Sequence, residues 1–333
     1  MQVTALEWVI TGLVILGLFV FDFFAHVRTP HEPTFRESAF WSAVYIGLAL
    51  AFGGFVAWKW GGTYGGEYYA GFVTEKALSV DNLFIFLIIM STFAVPRIYQ
   101  QKVLLIGIVL ALVMRGVFIA VGAAAISAFS WVFYLFGAFL VYTAVNLLRE
   151  SGHEVEHEEQ RDSRIVALAK RILPTTDEYH GDKLVAKIDG KRVVTPLLLA
   201  LLAIGFADLL FALDSIPAIY GLTEQPYIVF TANAFALMGL RQLFFLIGGL
   251  LDRLVYLSYG LAAILAFIGV KLVLHALHEN TLPFINGGEH VSVPEISTGL
   301  SLSVIIGILV VATVASLLRT RNGAKQAGRG VSS

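Results

Sequence analysis

The sequence contains no cysteine, and only 14% of its 333 residues are charged. Without cysteine the chain can form no disulfide, thiolate metal site or thiol nucleophile, so oxygen and imidazole ligands remain. Its formal net charge of -1 argues against nucleic-acid binding through bulk positive charge. Soluble domains are about one-quarter charged, well above the 14% of this chain. With 57% hydrophobic residues as well, the chain is expected to be a polytopic membrane protein.

Nine segments are apolar enough to cross a bilayer, which takes about 20 residues of helix. Their predicted boundaries are 6–25, 39–58, 68–94, 102–122, 128–148, 196–220, 227–250, 254–275 and 298–318. The first segment has no small-residue cleavage site and further spans follow it, so we interpret it as a retained helix. The sequence therefore predicts an all-α fold with about nine transmembrane helices.

Lysine and arginine are unevenly distributed among the loops. The loops after predicted helices 1, 3, 5 and 7 are basic, whereas those after helices 2, 4, 6 and 8 have no lysine or arginine outside a helix end. Cytoplasmic loops retain positive residues and translocated loops do not. This pattern predicts an amino terminus outside the cell and a carboxyl terminus in the cytoplasm.

Two short stretches carry acidic residues inside otherwise apolar sequence. Residues 72–84 contain Glu75 and Asp81, and residues 205–218 contain Asp208 and Asp214 at the same spacing. A carboxylate at bilayer depth costs roughly 3 kcal/mol on insertion scales, so four of them cost on the order of 10 kcal/mol. A purely structural span would not carry this cost, so we interpret the four carboxylates as the functional site.

The two acidic stretches begin two copies of one three-helix unit. Arg115 and Arg241 lie in the second helix of each copy, and Gly137 and Gly260 each follow an aromatic residue in the third. Because three is an odd number, the copies should have opposite orientations, as the inverted repeats of secondary transporters do. The predicted organisation is helices 1 and 2 (1–67), the first repeat (68–148), a cytoplasmic segment (149–195), the second repeat (196–276), and an external loop, helix 9 and a cytoplasmic tail (277–333).

The candidate metal ligands all carry side-chain oxygens: Glu75, Asp81, Asn82, Asp208, Asp214 and Ser215. Oxygen ligands suit hard divalent cations such as manganese, magnesium or calcium. Residues six apart on an ideal helix differ by about 120° in direction, so a shared site needs a helix break or neighbouring helices. Arg115 and Arg241 offer a structural alternative, because buried carboxylates can be retained by pairing with buried arginines. Asp22, near the cytoplasmic end of helix 1, either has a capping or interfacial role or is an accessory ligand.

The cytoplasmic segment 149–195 is assigned no chemistry. His153 and His157 lie one helical turn apart and are a possible metal pair, but the surrounding acidic residues favour a solvated charged stretch. Asp189-Gly190 separates two short apolar runs and predicts a β-hairpin.

The stretches Glu75-Lys-Ala-Leu-Ser-Val-Asp-Asn and Phe211-Ala-Leu-Asp-Ser-Ile-Pro-Ala closely resemble the TerC/Alx family of bacterial membrane proteins. Thr195-Pro-Leu and Gly239-Leu-Arg also resemble sequences of this family, and the resemblance extends over the whole chain. It implies a manganese exporter of the bacterial cytoplasmic membrane, with Mn²⁺ as the transported substrate and no permanently bound cofactor. An older association with tellurium resistance gave the family its name. One departure is Gly205, where many relatives have glutamate.

Transport of this kind needs an energy source. Expelling a divalent cation against an inward-negative potential costs about 2 × 2.3 kcal/mol per 100 mV, and the sequence has no nucleotide-binding loop. Buried carboxylates that lose a cation should take up protons, because desolvation and mutual repulsion disfavour their charged forms. The sequence therefore predicts a cation/proton antiporter whose partners are a divalent metal ion and the lipid bilayer.

Two other functions stay open at this point. One is a membrane scaffold or tellurium-resistance accessory protein that transports nothing. The other is an intramembrane aspartyl protease, in which two aspartates share a proton. Such proteases have Tyr-Asp and Gly-x-Gly-Asp elements, whereas this chain has Ser79-Val-Asp81 and Gly205-Phe-Ala-Asp208. We therefore expect that the protein is not an enzyme.

Overall fold

The computed structural model describes residues 1–27, 32–129, 131–150, 174–176, 178–188, 191–247, 256–279, 282, 285–286 and 289–330. Within these residues the chain forms α-helices and one two-stranded hairpin. The helices are α1 (Ala5–Asp22), α2 (Phe35–Trp60), α3 (Gly62–Thr92), α4 (Arg97–Ala128), α5 (Val132–Glu150), α6 (Pro196–Tyr220), α7 (Pro226–Met238), α8 (Leu240–Ile247), α9 (Leu257–His278) and α10 (Thr298–Gly330). A π-helical turn, Phe23–Val27, extends α1.

The described helices form nine long segments when α7 and α8 are counted as the two parts of one predicted span. Eight of these segments are long and apolar enough to cross a membrane. The other is α3, whose 31 residues include Glu67, Glu75, Lys76 and Asp81. At 1.5 Å per residue α3 is about 46 Å long, which exceeds the roughly 30 Å hydrocarbon core. The predicted all-α polytopic fold is confirmed.

Local sequence explains where the first two helices begin. Thr4 and Glu7 form a capping box at the start of α1, and Thr34 and Glu37 form another at the start of α2. In each box the threonine side chain accepts from a backbone amide, and the glutamate accepts from the threonine amide. The second box places the start of α2 at residue 35, before the first residue of the predicted span.

The contacts between the two predicted three-helix units form a symmetric set, in which each unit packs against the other in the same way. Helix α3 contacts α7 about as extensively as α4 contacts α6. The contact between α5 and α9 is the most extensive of all pairs of described helices. Exchanging α3 with α6, α4 with α7, and α5 with α9 converts each of these contacts into another member of the set. This is the packing expected of two inverted repeats that face each other.

Gly137 of α5 and Gly269 of α9 contact each other where these two helices pack together. A Cβ added to Gly137 would lie 2.8 Å from the carbonyl oxygen of Gly269, and one added to Gly269 would lie 2.9 Å from that of Gly137. Val273 and Val141, one turn further on, contact the opposite glycine in the same reciprocal way. The structure therefore matches Gly137 with Gly269, and the pairing of Gly137 with Gly260 is wrong. Both matched glycines begin the sequence Gly-x-x-Leu-Val-x-x-Ala.

A small hairpin follows the gap after α5. Strands β1 (Val185–Ile188) and β2 (Lys191–Val194) pair antiparallel, as predicted, although residues 189 and 190 lie outside the described residues. Lys102 of α4 donates to Asp182 Oδ2 at 2.7 Å and anchors the hairpin. This hydrogen bond lowers the pKa of the Asp182 carboxyl below its usual value. The predicted charged stretch with His153 and His157 also lies outside the described residues.

Candidate functional site

Arg115 of α4 is fully buried and joins carboxylates from the first helix of each repeat. Its Nε and Nη2 donate to Asp208 Oδ2 and Oδ1 of α6, at 3.2 and 3.0 Å. Its Nη1 donates to Glu75 Oε1 of α3. A two-pronged pair between arginine and a carboxylate is among the strongest charge-assisted contacts in proteins. Glu75 and Asp208, which the sequence matches across the repeats, are therefore held together by one guanidinium.

Two uncharged side chains complete the surroundings of Arg115. Its Nη1 also lies 3.2 Å from Ser215 Oγ of α6 and 2.7 Å from Asn233 Oδ1 of α7. Both side chains are buried. Sequence reasoning missed Asn233 because it has no counterpart in the repeat comparison. The available signal was a lone amide in the apolar run of α7.

The cluster around Arg115 contains one more negative charge than positive charge. Glu75 and Asp208 contribute two negative charges and Arg115 one positive charge, so its formal charge is -1 when both carboxylates are ionised. Glu75 Oε2 and Asn233 Nδ2 are buried and have no hydrogen-bond partner among the described residues. An unpaired buried polar group costs about 1–3 kcal/mol, so this cluster is not arranged for stability alone.

The other predicted ligands are arranged differently. Asp214 is partly buried and accepts from Thr143 Oγ1 of α5 at 3.2 Å, away from the Arg115 contacts. This divergence from Asp208 follows from their spacing of six on a continuous helix. Asn82 of α3 is buried, whereas the side chain of Asp81 lies outside the description. The structure thus brings together Glu75, Asp208 and Ser215 of the six predicted ligands.

Arg241 takes part in a second buried ionic cluster. The helix breaks at Gly239, between α7 and α8, and beyond the break Arg241 Nη2 donates to Asp22 Oδ1 of α1 at 2.8 Å. Arg241 Nη1 donates to Gln101 of α4, and Tyr45 of α2 donates to Asp22 Oδ1 at 2.7 Å. The predicted accessory charges Arg115 and Arg241 therefore have different partners, although the sequence aligns them.

Lys76 links α3 to the break between α7 and α8. Its Nζ donates to the carbonyl oxygen of Ala236 at 2.9 Å, in the last turn of α7. Carbonyl groups at the end of a helix lack a partner within the helix, so a lysine is a suitable donor there. Because Lys76 follows Glu75 in sequence, this bond fixes the position of α7 relative to the carboxylate of α3.

Pairing with arginine, the structural alternative raised by the sequence, accounts for Glu75, Asp208 and Asp22. In the described part of the chain, no three histidine, aspartate or glutamate side chains are placed to hold a metal ion. The Arg115 cluster contains two carboxylates together with hydroxyl and amide oxygens. Arginine pairing leaves the unpartnered Oε2 of Glu75 unexplained.

Gly205, where the resemblance noted in the sequence implies a glutamate in many relatives, lies at a close contact between helices. A Cβ at this position would approach Leu110 Cδ2 of α4 to 2.9 Å. The absence of a side chain lets α6 pack directly against α4, five residues or about 1.4 turns before Arg115 on α4. A glutamate at this position would therefore require Leu110 to move.

The fold and its charged centre define a polytopic membrane protein whose helices meet at buried ionic contacts. The model of the Integral membrane protein TerC family matches residues 60–324, so the chain belongs to this family. It is 52% identical to an uncharacterized membrane protein of Mycobacterium tuberculosis, over 98% of this chain and 83% of the relative. It is 39% identical to an uncharacterized membrane protein of Myxococcus xanthus, over 92% and 91% of the two chains. A relative in Photorhabdus laumondii, named putative membrane-bound redox modulator Alx, is 39% identical over 72% of this chain and 77% of the relative. No solved structure matches the chain.

Proposed function

We propose that this chain is a secondary transporter that exports a divalent cation, manganese, from the bacterial cytoplasm in exchange for protons. One observation carries the proposal: Glu75 and Asp208, from corresponding helices of the two repeats, meet in the protein interior on a single arginine. In inverted-repeat transporters the substrate binds between the repeats near the middle of the membrane. Two carboxylates also match the charge of one divalent cation.

In this mechanism Arg115 and the cation compete for the same carboxylates. Without cation, Arg115 neutralises part of the site and holds the repeats together. A divalent cation entering from the cytoplasm displaces the guanidinium from Glu75 and Asp208. When the cation leaves on the outer side, protons and Arg115 replace it, because two buried carboxylates cannot both remain charged without a partner. Return of the protonated site then releases protons to the cytoplasm.

The two other functions have less support. An aspartyl protease requires two aspartates that share one proton, but Asp208, one of the two that the sequence offers, is held at both oxygens by the guanidinium of Arg115. We therefore propose no enzymatic activity. The name redox modulator belongs to relatives, and this chain has no cysteine with which to form a thiol–disulfide couple. No specific observation favours a scaffold.

Manganese flux in proteoliposomes tests the proposal. We expect purified protein to move Mn²⁺ when a proton gradient is imposed, and Mn²⁺ to drive protons in the opposite direction. Glu75→Gln and Asp208→Asn should each reduce the flux by at least tenfold. Asp182→Asn is the matched control, because it removes a carboxylate whose partner, Lys102, lies outside the cluster. Saturable Mn²⁺ flux that ignores the proton gradient at fixed membrane potential would exclude antiport, and no flux at all would exclude the transporter.

A further inference from the structure

We infer that Asn233 is a ligand of the transported cation, and that Nη1 of Arg115 occupies the position of that cation in the described conformation. This inference rests on the proposed function and deepens it by assigning the ligands. It adds a residue of α7 that lies outside both acidic stretches.

Oxygen atoms from three helices converge on one nitrogen of Arg115. Glu75 Oε1, Ser215 Oγ and Asn233 Oδ1 come from three helices and all accept from Arg115 Nη1, the last two at 3.2 and 2.7 Å. A guanidinium Nη atom carries only two hydrogens, so it cannot make three good hydrogen bonds at once. A metal ion has no such limit, and hard divalent cations bind six or more oxygens from carboxylates, amides and hydroxyls.

Two buried polar atoms beside Arg115 have no hydrogen-bond partner among the described residues. Asn233 presents its oxygen to Arg115, while its buried Nδ2 has no hydrogen-bond partner in the described part of the chain. Glu75 Oε2 is also buried and without a partner there. A side chain kept only to hold Arg115 would not need to bury an unpaired amide. A carboxylate with a free oxygen and an amide oxygen beside it form a partial coordination shell.

The charge of the site also matches one divalent cation. Once Arg115 withdraws, Glu75 and Asp208 offer two negative charges, which balance one divalent cation. Asn233 and Ser215 then add neutral oxygens without adding charge. A third carboxylate would bind the cation more tightly and slow its release, whereas a transporter must also let its substrate go. An amide at position 233 therefore suits a site that binds and releases on every cycle.

A hydrogen bond between α3 and α7 positions the part of α7 that carries Asn233. It lies three residues before Ala236, whose carbonyl accepts from Lys76, the residue after Glu75. This bond sets the register of α7 against α3 and brings Asn233 beside the carboxylate of Glu75. A shift of the α7–α8 break would move the amide oxygen and change the coordination shell.

The test compares Asn233→Leu, Asn233→Asp and Thr231→Val in proteoliposomes and in detergent. Leucine has nearly the shape of asparagine but no oxygen, whereas aspartate keeps the oxygen. Thr231 is the matched control, since it is equally buried on α7 and its hydroxyl donates within the helix to the carbonyl of Tyr227 at 2.7 Å. The readouts are KM and maximal rate of Mn²⁺ flux, and the equilibrium Kd for Mn²⁺ from the loss of its free paramagnetic resonance signal.

We expect Asn233→Leu to raise KM and Kd by roughly 10-fold or more, the loss typical of one contact to a charged group. Asn233→Asp should bind Mn²⁺ at least as tightly as the wild type but turn over more slowly. Thr231→Val should match the wild type. If Asn233→Leu fails to fold, Asn233→Asp still decides, because weakened binding in that variant contradicts an oxygen ligand.

The possible failures are distinguishable. A wild-type protein that neither binds nor moves Mn²⁺ overturns the proposed function and the ligand assignment together. A wild-type protein that transports, with Asn233→Leu unchanged in KM and Kd, overturns the assignment alone. Equal weakening in Asn233→Leu and Asn233→Asp also overturns it, because the loss would then come from packing rather than from an oxygen.

Discussion

Removal of Arg115 should destabilise the protein more than removal of either of its carboxylate partners. Arg115 makes five polar contacts, with side chains of Glu75, Asp208, Ser215 and Asn233. Arg115→Met would leave two buried carboxylates facing each other without a positive charge. Breaking a buried ion pair in this way costs about 3–5 kcal/mol. At roughly 2 °C per kcal/mol, the expected fall in Tm is about 6–10 °C.

Neutralising one carboxylate should cost less. Asp208→Asn keeps an acceptor oxygen for Arg115 and leaves a balanced pair between Arg115 and Glu75. The expected loss is about 1.5–3 kcal/mol, the value for one hydrogen bond to a charged group. Replacing all three charged residues with apolar residues of similar size should recover most of the stability lost in Arg115→Met.

Circular dichroism of the detergent-solubilised protein, at one fixed scan rate, measures this series. The fixed rate matters because unfolding of large proteins is often irreversible. We expect Tm to fall in the order wild type, Asp208→Asn, Arg115→Met, and the apolar triple variant to melt above Arg115→Met. An Arg115→Met protein that melts within about 1 °C of the wild type would contradict the buried ionic cluster, as would a triple variant that melts no higher.

The same variant tests competition between Arg115 and the cation. In Arg115→Met the cation no longer has to displace a guanidinium, so Mn²⁺ should bind more tightly and raise Tm further than in the wild type. A ligand at 100 times its Kd stabilises a protein by about 2.7 kcal/mol, which makes the shift measurable. A wild-type shift larger than that of Arg115→Met would show that Arg115 supports cation binding instead of competing with it.

Three further predictions follow from other parts of the structure. Gly137→Ala should lower Tm, because the added Cβ would meet backbone at 2.8 Å, whereas Gly12→Ala, with no atom within 4 Å, should leave Tm unchanged or raise it slightly; equal effects would contradict the close contact of α5 and α9. Because the folded pKa of Asp182 is lowered, its anchor should be complete above the unfolded pKa of about 4 and be lost as pH falls below it. Hydrogen exchange in residues 185–194 should show this loss, by less than about 1 kcal/mol for an exposed pair, and Asp182→Asn should abolish the pH dependence. In intact cells, an impermeant thiol reagent should label a cysteine at exposed Thr63 but not at exposed Lys187, and the reverse result would overturn the predicted orientation.

The sequence predicted the membrane segments and the hairpin well because both depend on local pattern. A long apolar run forms a helix in a bilayer whatever its neighbours, since its backbone polar groups must pair within the segment. The matched carboxylates Glu75 and Asp208 were also visible, because charge in an apolar span has few ordinary explanations. These features need no knowledge of which helices touch.

The partners of the charged residues could not be predicted in the same way. Arg115 and Arg241 lie in similar sequence, yet one pairs with Glu75 and Asp208 and the other with Asp22. Packing between distant helices and the break at Gly239 decide this difference. The equivalence of Gly137 and Gly269 was missed for a related reason, since the aromatic–glycine steps near the helix starts matched by residue type and not by contact.

The arrangement also connects the repeats to the proposed transport cycle. Each repeat contributes one carboxylate to the Arg115 cluster, Glu75 from the first and Asp208 from the second. Any movement of one repeat against the other therefore changes the distance between the two carboxylates, and with it the affinity for whatever cation lies between them. Because Arg115 belongs to the first repeat alone, the same movement also changes how well it bridges the two carboxylates. Under the proposed function, the relative motion of the repeats opens the site to one side of the membrane. The same motion then determines whether Arg115 or the transported cation binds the two carboxylates.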